Sequence, residues 1–371
     1  MSGGGEFCAR PVKPCKQRTR PCGFQVSDYD LPDGTCAAQY DKNYSGARYK
    51  WRIAPWVTVM RRVDRYVPLA LMVGSVLVAT AFPSILLHDA FNSRQAYAYT
   101  AEIAGFGERW PGSPGHRKTE NIIRQVLQKD GAQIESDDFM ATTPRGPIPV
   151  HNIIGKFNVS ANPKQRIFVL AGHYDTLFKP GFIGANDGAS STAILLAFAD
   201  ALAHQKTGMQ IWLVWTDLEE AINDFKGNDG LYGSRHLAQK LAAKRSVSRI
   251  RGLFLLDMIG DKDKELNVAR ETGSSSSLQV FIAQAADQLG YAGYFFKYDA
   301  NIIDDHVSFI KVGVPAVDVV DAEYGRMGPS FDSMGEFHHT NGDTMDKVSQ
   351  HSLEVVGRTI LLTVELLDKQ D

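Results

Sequence analysis

The stretch "MQIWLVWTDLEEA" (Met209–Ala221) carries both the architecture and the chemistry of this chain. Met209 to Trp215 is apolar except for Gln210, too short for a core helix and rich in aromatic and β-branched residues. Such a run reads as a strand buried on both faces, the kind found in parallel sheets. It ends in Thr216 and Asp217, and two adjacent glutamates follow, Glu219 and Glu220. Neighbours on an extended chain point to opposite sides, so this pair is not one acidic patch.

The same pattern recurs on either side. "VHNIIGKFNV" (150–159), "RIFVLAGHYD" (166–175), "RGLFLLDMIG" (251–260), "GYFFKYD" (293–299) and "VPAVDVV" (314–320) read as further strands. Helical spacing of apolar residues appears over 96–105, 113–129, 190–204, 234–244, 276–289 and 350–368, and a short helix in "DDHVSFIKVG" stops at Gly313. Strands alternating with helices predict an α/β fold: a three-layer α-β-α sandwich on a central, mostly parallel mixed sheet. No repeat or linker interrupts this pattern, so 95–371 reads as one catalytic domain. Ligands of such sheets bind beyond the C-terminal strand ends.

Composition narrows the classes. The chain has 371 residues, 44% hydrophobic and 22% charged, with a net charge of -2, so nothing points to nucleic acid as a partner. The cysteines are Cys8, Cys15, Cys22 and Cys36. They are loosely spaced with no C-x-x-C pair, a poor zinc knuckle. The rest of the chain offers no disulfide and no thiolate nucleophile or ligand. Residues 1–59, rich in Pro, Gly and Lys/Arg without apolar period, read as a disordered extension or a mis-called start. From Tyr66 to His88 there is no Asp, Glu, Lys or Arg, and Arg61, Arg62 and Arg65 precede this stretch. Segment 60–88 therefore reads as a signal peptide or a single transmembrane anchor, and as the only membrane contact. Either way the catalytic domain lies outside the cytoplasm: secreted, periplasmic or anchored. Oligomeric state is left open.

Acidic residues and histidines gather at the strand ends: His173 and Asp175, Asp187 in "GANDGASS", Glu219 and Glu220, Asp257, then Asp304-Asp305-His306, then His338-His339. Any one of these is ordinarily a helix cap or loop residue. Asp257, flanked by "LFLL" and "MIG", is harder to dismiss, because a buried charge needs a partner. Carboxylates and imidazoles without thiolates suit a catalytic zinc that keeps one position open.

The order H-x-D, N-D-G, E-E, strand-borne D and H-T resembles the zinc exopeptidases of metallopeptidase family 28. Within that clan "RWPGSPGH", "HNIIG", "GHYDT", "DGLYGSRHLA", "LLDMIG" and "IDDHVSFI" resemble the glutaminyl cyclases. The resemblance covers about Gly105 to Asp371. It implies that Asp187, Glu220 and His339 hold one Zn2+ and that Glu219 is the general base and acid. It implies a carboxylate network of Asp257 and Asp305 beside Glu219. His173 and Asp257 match second-metal positions of two-zinc aminopeptidases. Phe225, His338 and Asp304 are expected in the substrate pocket. The chain departs from the cyclases where Leu218 replaces a glycine, Phe225 a common tryptophan and His338 a tryptophan.

The implied reaction closes an N-terminal glutamine of a peptide or protein to pyroglutamate with loss of ammonia. The alternative on the same scaffold is an aminopeptidase, with two zinc ions and a metal-activated water. A catalytically dead binding domain is a third reading, opposed by the presence of every ligand position and of Glu219.

Overall fold

The computed structural model describes residues 86–262, 266–331 and 333–370. Residues 1–59 and most of segment 60–88 lie outside them. Among the described residues no helix is long and apolar enough to cross a membrane. The folded unit reaches back further than residue 95. Leu87–Asp89 forms a short 3-10 turn, and the His88 N–H donates to Glu365 Oε1 at 2.9 Å.

Six strands build the main sheet: β1 (Gln133–Thr143), β2 (Gly146–Phe157), β3 (Ile167–His173), β4 (Gln210–Thr216), β5 (Ile250–Asp257) and, after β6 (Val268–Glu271) and β7 (Phe295–Ala300), β8 (Ala316–Val320). Their order is β1-β2-β4-β3-β5-β8, while β6 and β7 pair as a separate two-stranded sheet. The four strands β4, β3, β5 and β8 run parallel, and β1 and β2 are antiparallel additions. His173 pairs with Thr216 and Asp257 with Val320. Four parallel strands therefore end along one edge, which is where the acidic residues follow.

Period-2 burial explains the three layers. Phe168 and Leu170 of β3, Leu213 and Trp215 of β4, and Phe254 and Leu256 of β5 face one apolar cluster. That cluster also holds α1 (Ser93–Ala104), α2 (Pro114–Lys129), α3 (Ala189–Leu202), α5 (Ser276–Gln288) and α7 (Gln350–Asp368). Val169, Val214 and Leu255 face the other cluster, with α4 (Tyr232–Ala243) and α6 (His306–Ile310). The expected sandwich is present.

Three elements differ from the sequence reading. β6 was not expected; its four residues pair with β7 apart from the main sheet. β1 was not expected, because "QIESDDFMATT" alternates weakly and carries three acids. An outer strand paired on one side only tolerates such charge. β2 begins earlier than expected, at Gly146, and includes Pro147 and Pro149. Both prolines precede Ile153, where pairing to β4 starts, so no ladder bond to β4 is lost.

Gly357 lets the N-terminal segment close on α7. A Cβ there would sit 2.3 Å from the Phe91 ring, itself buried against Phe198 with centroids 5.6 Å apart. Gly357→Ala should gain about 1 kcal/mol of helix propensity yet destabilise overall by roughly 1–3 kcal/mol through overpacking. Urea unfolding of the two proteins measures this.

Candidate active site

Four structural devices converge at the C-terminal strand edge. The first is the end of β3. Asp175, fully buried, accepts from the Glu219 N–H at 3.1 Å and from the Glu220 N–H at 3.3 Å. One carboxylate thus fixes the backbone of both glutamates. The second is the turn before α3. Gly188 has φ +85, and a Cβ there would lie 2.7 Å from the Asp175 carbonyl oxygen and 3.1 Å from His173 Cε1. Only glycine lets the N-D-G turn approach β3 so closely.

The third device is Asp343, which accepts from the backbone of Asn186 (2.8 Å) and Asp187 (3.0 Å) and from the Tyr324 hydroxyl (2.6 Å). Burial, reinforced by Asp187, raises its carboxyl to about 7. The fourth is Arg109, with no exposed surface. Its guanidinium donates to the carbonyls of Tyr174 (3.2 Å), Ile183 (2.5 Å), Gly184 (2.9 Å) and Asp187 (3.2 Å). Burial lowers its pKa to about 10 against the support of Asp187 and Asp343.

These devices bring Asp187, Glu220 and His339 together. His339 Nε2 lies 3.2 Å from Glu220 Oε2 and 3.5 Å from Asp187 Oδ2. Asp187 Oδ2 and both Glu220 carboxylate oxygens are buried without a hydrogen-bond partner. Burial and the Asp187 charge raise Glu220 to about 7, against His339. Burial alone would raise Asp187, but His173 and His339 outweigh it and hold this carboxylate below the ordinary range. His173 Nε2 sits 3.1 Å from Asp187 Oδ1 and 3.2 Å from Asp257 Oδ1. Two overlapping sets, Asp187-His338-His339 and His173-Asp187-Asp257, each bring three donor atoms within 4.8 Å of one another. His338, not Glu220, completes the first of these sets, while Glu220 Oε2 reaches His339 Nε2 from beside it; the orphaned oxygens of Asp187 and Glu220 around His339 fit a cation. Asp257 is more fully engaged: its Oδ1 accepts from Met258 N–H at 2.8 Å as well as facing His173.

A cavity of about 670 Å³ opens beside these groups, lined by Asp187, Glu219, Phe225, Asp257, Asp304, His338 and His339 among others. Glu219 is 6% exposed. Burial, then the charge of Asp304, raises its carboxyl well above the ordinary range, with Glu220 and Asp305 adding to this. His338 stacks on His339, centroids 3.7 Å apart. Phe225 occupies space left by Gly230, whose Cβ would meet the ring at 2.7 Å.

The sequence reading needs one correction. The glutamates separate at a turn, not along an extended strand. β4 ends at Thr216, and Leu218 takes φ +52. Glycine adopts such a backbone without strain; here leucine accepts it and buries its side chain among Ala141, Val150, Ile222 and Tyr232. The two members of the D-D pair are placed differently, with Asp304 in the pocket as expected. Asp304 lines the cavity, whereas Asp305 accepts from Thr216 Oγ1 at 2.5 Å and does not line it. Asp304 is also the larger influence on Glu219. The short helix α6 starts just after them, with Asp305 at its N-cap position, and the adjacent carboxylates face different surroundings.

Arg109, Asp343 and Tyr324 had no assigned part in the sequence reading. Their hydrogen bonds are to backbone or to each other, and no spacing rule announces them.

Arg109→Lys keeps the charge but cannot reach four carbonyls from one nitrogen. Hydrogen bonds from charged donors contribute roughly 1.5–3 kcal/mol each, so a loss of at least about 2 kcal/mol in urea unfolding is expected. Metal bound per chain, measured on the same samples, should fall with it.

Peptidase family M28 matches residues 152–364 of this chain. The glutaminyl-peptide cyclotransferase of Bos taurus is 31% identical over 280 residues, covering 66% of this chain and 77% of the relative. The crystal structure of an Acidobacteriales bacterium glutaminyl cyclase superposes with TM-score 0.71 at 38% identity, covering 76% of this chain and 96% of that one. A Porphyromonas gingivalis glutaminyl cyclase gives TM-score 0.65 at 28% identity, covering 75% and 99%.

Proposed function

The chain belongs to peptidase family M28 and, within it, to the glutaminyl cyclases, and we propose that it is a zinc-dependent glutaminyl-peptide cyclotransferase. Its substrate is a peptide or protein with an N-terminal glutamine. Segment 60–88 would place the reaction outside the cytoplasm.

The observation that carries this reading is a buried carboxyl, Glu219, raised well above its ordinary range beside a cluster of orphaned metal donors. Asp187, Glu220 and His339 are the residues proposed to hold one zinc. Zinc there supplies Lewis acidity toward the glutamine side-chain amide oxygen. The orphaned oxygens at this set, against the engaged Asp257, support one ion over two.

The nucleophile is the substrate's own α-amine, which attacks the γ-carboxamide carbon. A C–N bond forms, a five-membered ring closes, and the C–N bond to the leaving nitrogen breaks. Tethering removes much of the entropic cost that a second reactant would impose, so the protein must orient the chain and move protons. Glu219 takes a proton from the attacking amine and returns one to the departing ammonia. A base must release and accept protons near working pH. Burial of Glu219 and the Asp304 charge provide that by opposing ionisation. His338 and Phe225 line the walls beside it.

Incubation with a Gln-initiated peptide should release ammonia and leave the chain intact; release of a free amino acid would establish the aminopeptidase instead. Glu219→Gln should retain zinc and lose roughly 10²–10⁴-fold in kcat. Turnover like that of the unaltered enzyme would remove Glu219 from the mechanism. The pH profile gives a separate check. Glu219 must be ionised to act as base, so kcat/KM falls as pH drops through its raised pKa. Asp304→Asn removes a charge that raises this value, so the acid limb should move to lower pH. A shift to higher pH would contradict the assignment.

A further inference from the structure

The cavity extends well beyond the groups that act on glutamine. At about 670 Å³ it has the size of a site that holds a drug-sized molecule. Its inner wall is Asp187, Glu219, Asp257 and Asp304, around the groups used by the reaction above. Its outer wall is built by other elements: Tyr298 and Asp299 on β7, Ile303 after it, and Glu323 and Met327 after β8. The Tyr298 hydroxyl accepts from the Ala322 N–H at 2.9 Å and ties the two segments together.

Two features of this outer wall stand out. It is acidic, and no lysine or arginine lines the cavity. Arg270 approaches Asp299 only at 3.5 Å, with both side chains more than half exposed, so it neutralises little. Glu323 accepts from Asn267 Nδ2 at 3.0 Å, a neutral donor that leaves its charge in place. Arg326 is committed to Glu336 at 2.6 Å. The wall is also apolar where it meets solvent: Ile303 is 61% exposed and Met327 45%. Exposed apolar side chains rimming a cleft mark a surface that is covered in use.

Resting on the cyclase reading, we propose that this outer wall reads the residues following the N-terminal glutamine, favouring peptides with lysine or arginine there over peptides with aspartate or glutamate. A cleft walled by one sign of charge focuses its field and raises the local concentration of opposite charge. The aliphatic stem of a lysine or arginine can lie on Ile303 and Met327 while its head meets Asp299 and Glu323.

The test uses three peptides, Gln-Ala-Lys-Ala, Gln-Ala-Ala-Ala and Gln-Ala-Glu-Ala, each amidated and fluorescently tagged at the C-terminus. Ammonia release gives kcat/KM, and anisotropy gives affinity on the same enzyme. The expected order is Lys over Ala over Glu, with Lys and Glu separated by about tenfold at 10 mM salt. At 0.5 M salt screening should bring them within about twofold. In the double variant Asp299→Lys/Glu323→Lys the order should invert. Lys and Glu peptides within twofold at 10 mM salt, a preference that salt does not weaken, or an order unchanged in the double variant would each overturn the proposal. If no peptide releases ammonia, the cyclase reading falls, and the order of affinities still decides the charge preference.

Discussion

The hydrogen bonds from the Glu219 and Glu220 amides to the two oxygens of Asp175 are the constraint on which the site depends. They join the loop after β3 to the loop after β4 and leave no backbone freedom between the two glutamates. A single side chain therefore sets the distance between the proposed metal donor, Glu220, and the proposed proton carrier, Glu219. Its position is itself determined by the sheet, because His173 pairs with Thr216 and both loops start from that pair. Parallel pairing, buried on both faces, thus translates directly into functional geometry.

That geometry concentrates negative charge where solvent cannot screen it. Asp187, Glu219, Glu220, Asp304, Asp305 and Asp318 are all buried. Burial raises Glu219, Asp304 and Asp318 well above the carboxylate range, with neighbouring carboxylates adding to it. The opposing charges within reach are few. Arg109 acts through the carbonyls of the Asp187 turn, and His173 is raised well above its ordinary value by Asp175, Asp187 and Asp257 despite its burial. A divalent cation would supply the counter-charge, and its binding would add to folding stability by mass action. The carboxylates are therefore a cost in the isolated chain and an asset in the loaded one.

Much of this was legible in the sequence. The apolar runs at 166–175, 210–217 and 251–260 gave the parallel centre, because strands buried on both faces leave an uninterrupted signature. Asp187, Glu220 and His339 could be named from motif order. What escaped follows a physical pattern. β1 escaped because an outer strand need not be apolar. The Leu218 turn escaped because a left-handed leucine contradicts local preference and is held by tertiary packing alone. The greater weight of Asp304 than of Asp305 on Glu219 escaped because a one-residue offset at a helix start cannot be read from composition. Arg109 escaped because its partners are carbonyl oxygens, which every residue has.

The same edge could serve hydrolysis or cyclisation, since fold alone does not choose a reaction. The choice depends on what delivers the nucleophile to Glu219. In hydrolysis the site must position a water, which requires room and a second cation or donor to activate it. In cyclisation the nucleophile arrives on the substrate, and the site needs only to bend the glutamine until its amine faces its own amide. His173 Nε2, 3.1 Å from Asp187 Oδ1 and 3.2 Å from Asp257 Oδ1, belongs to a donor set that could itself hold a cation. Hydrolysis by two cations would draw on this set as well, whereas cyclisation calls for one cation's ligands and one base. A tethered amine needs no more than these.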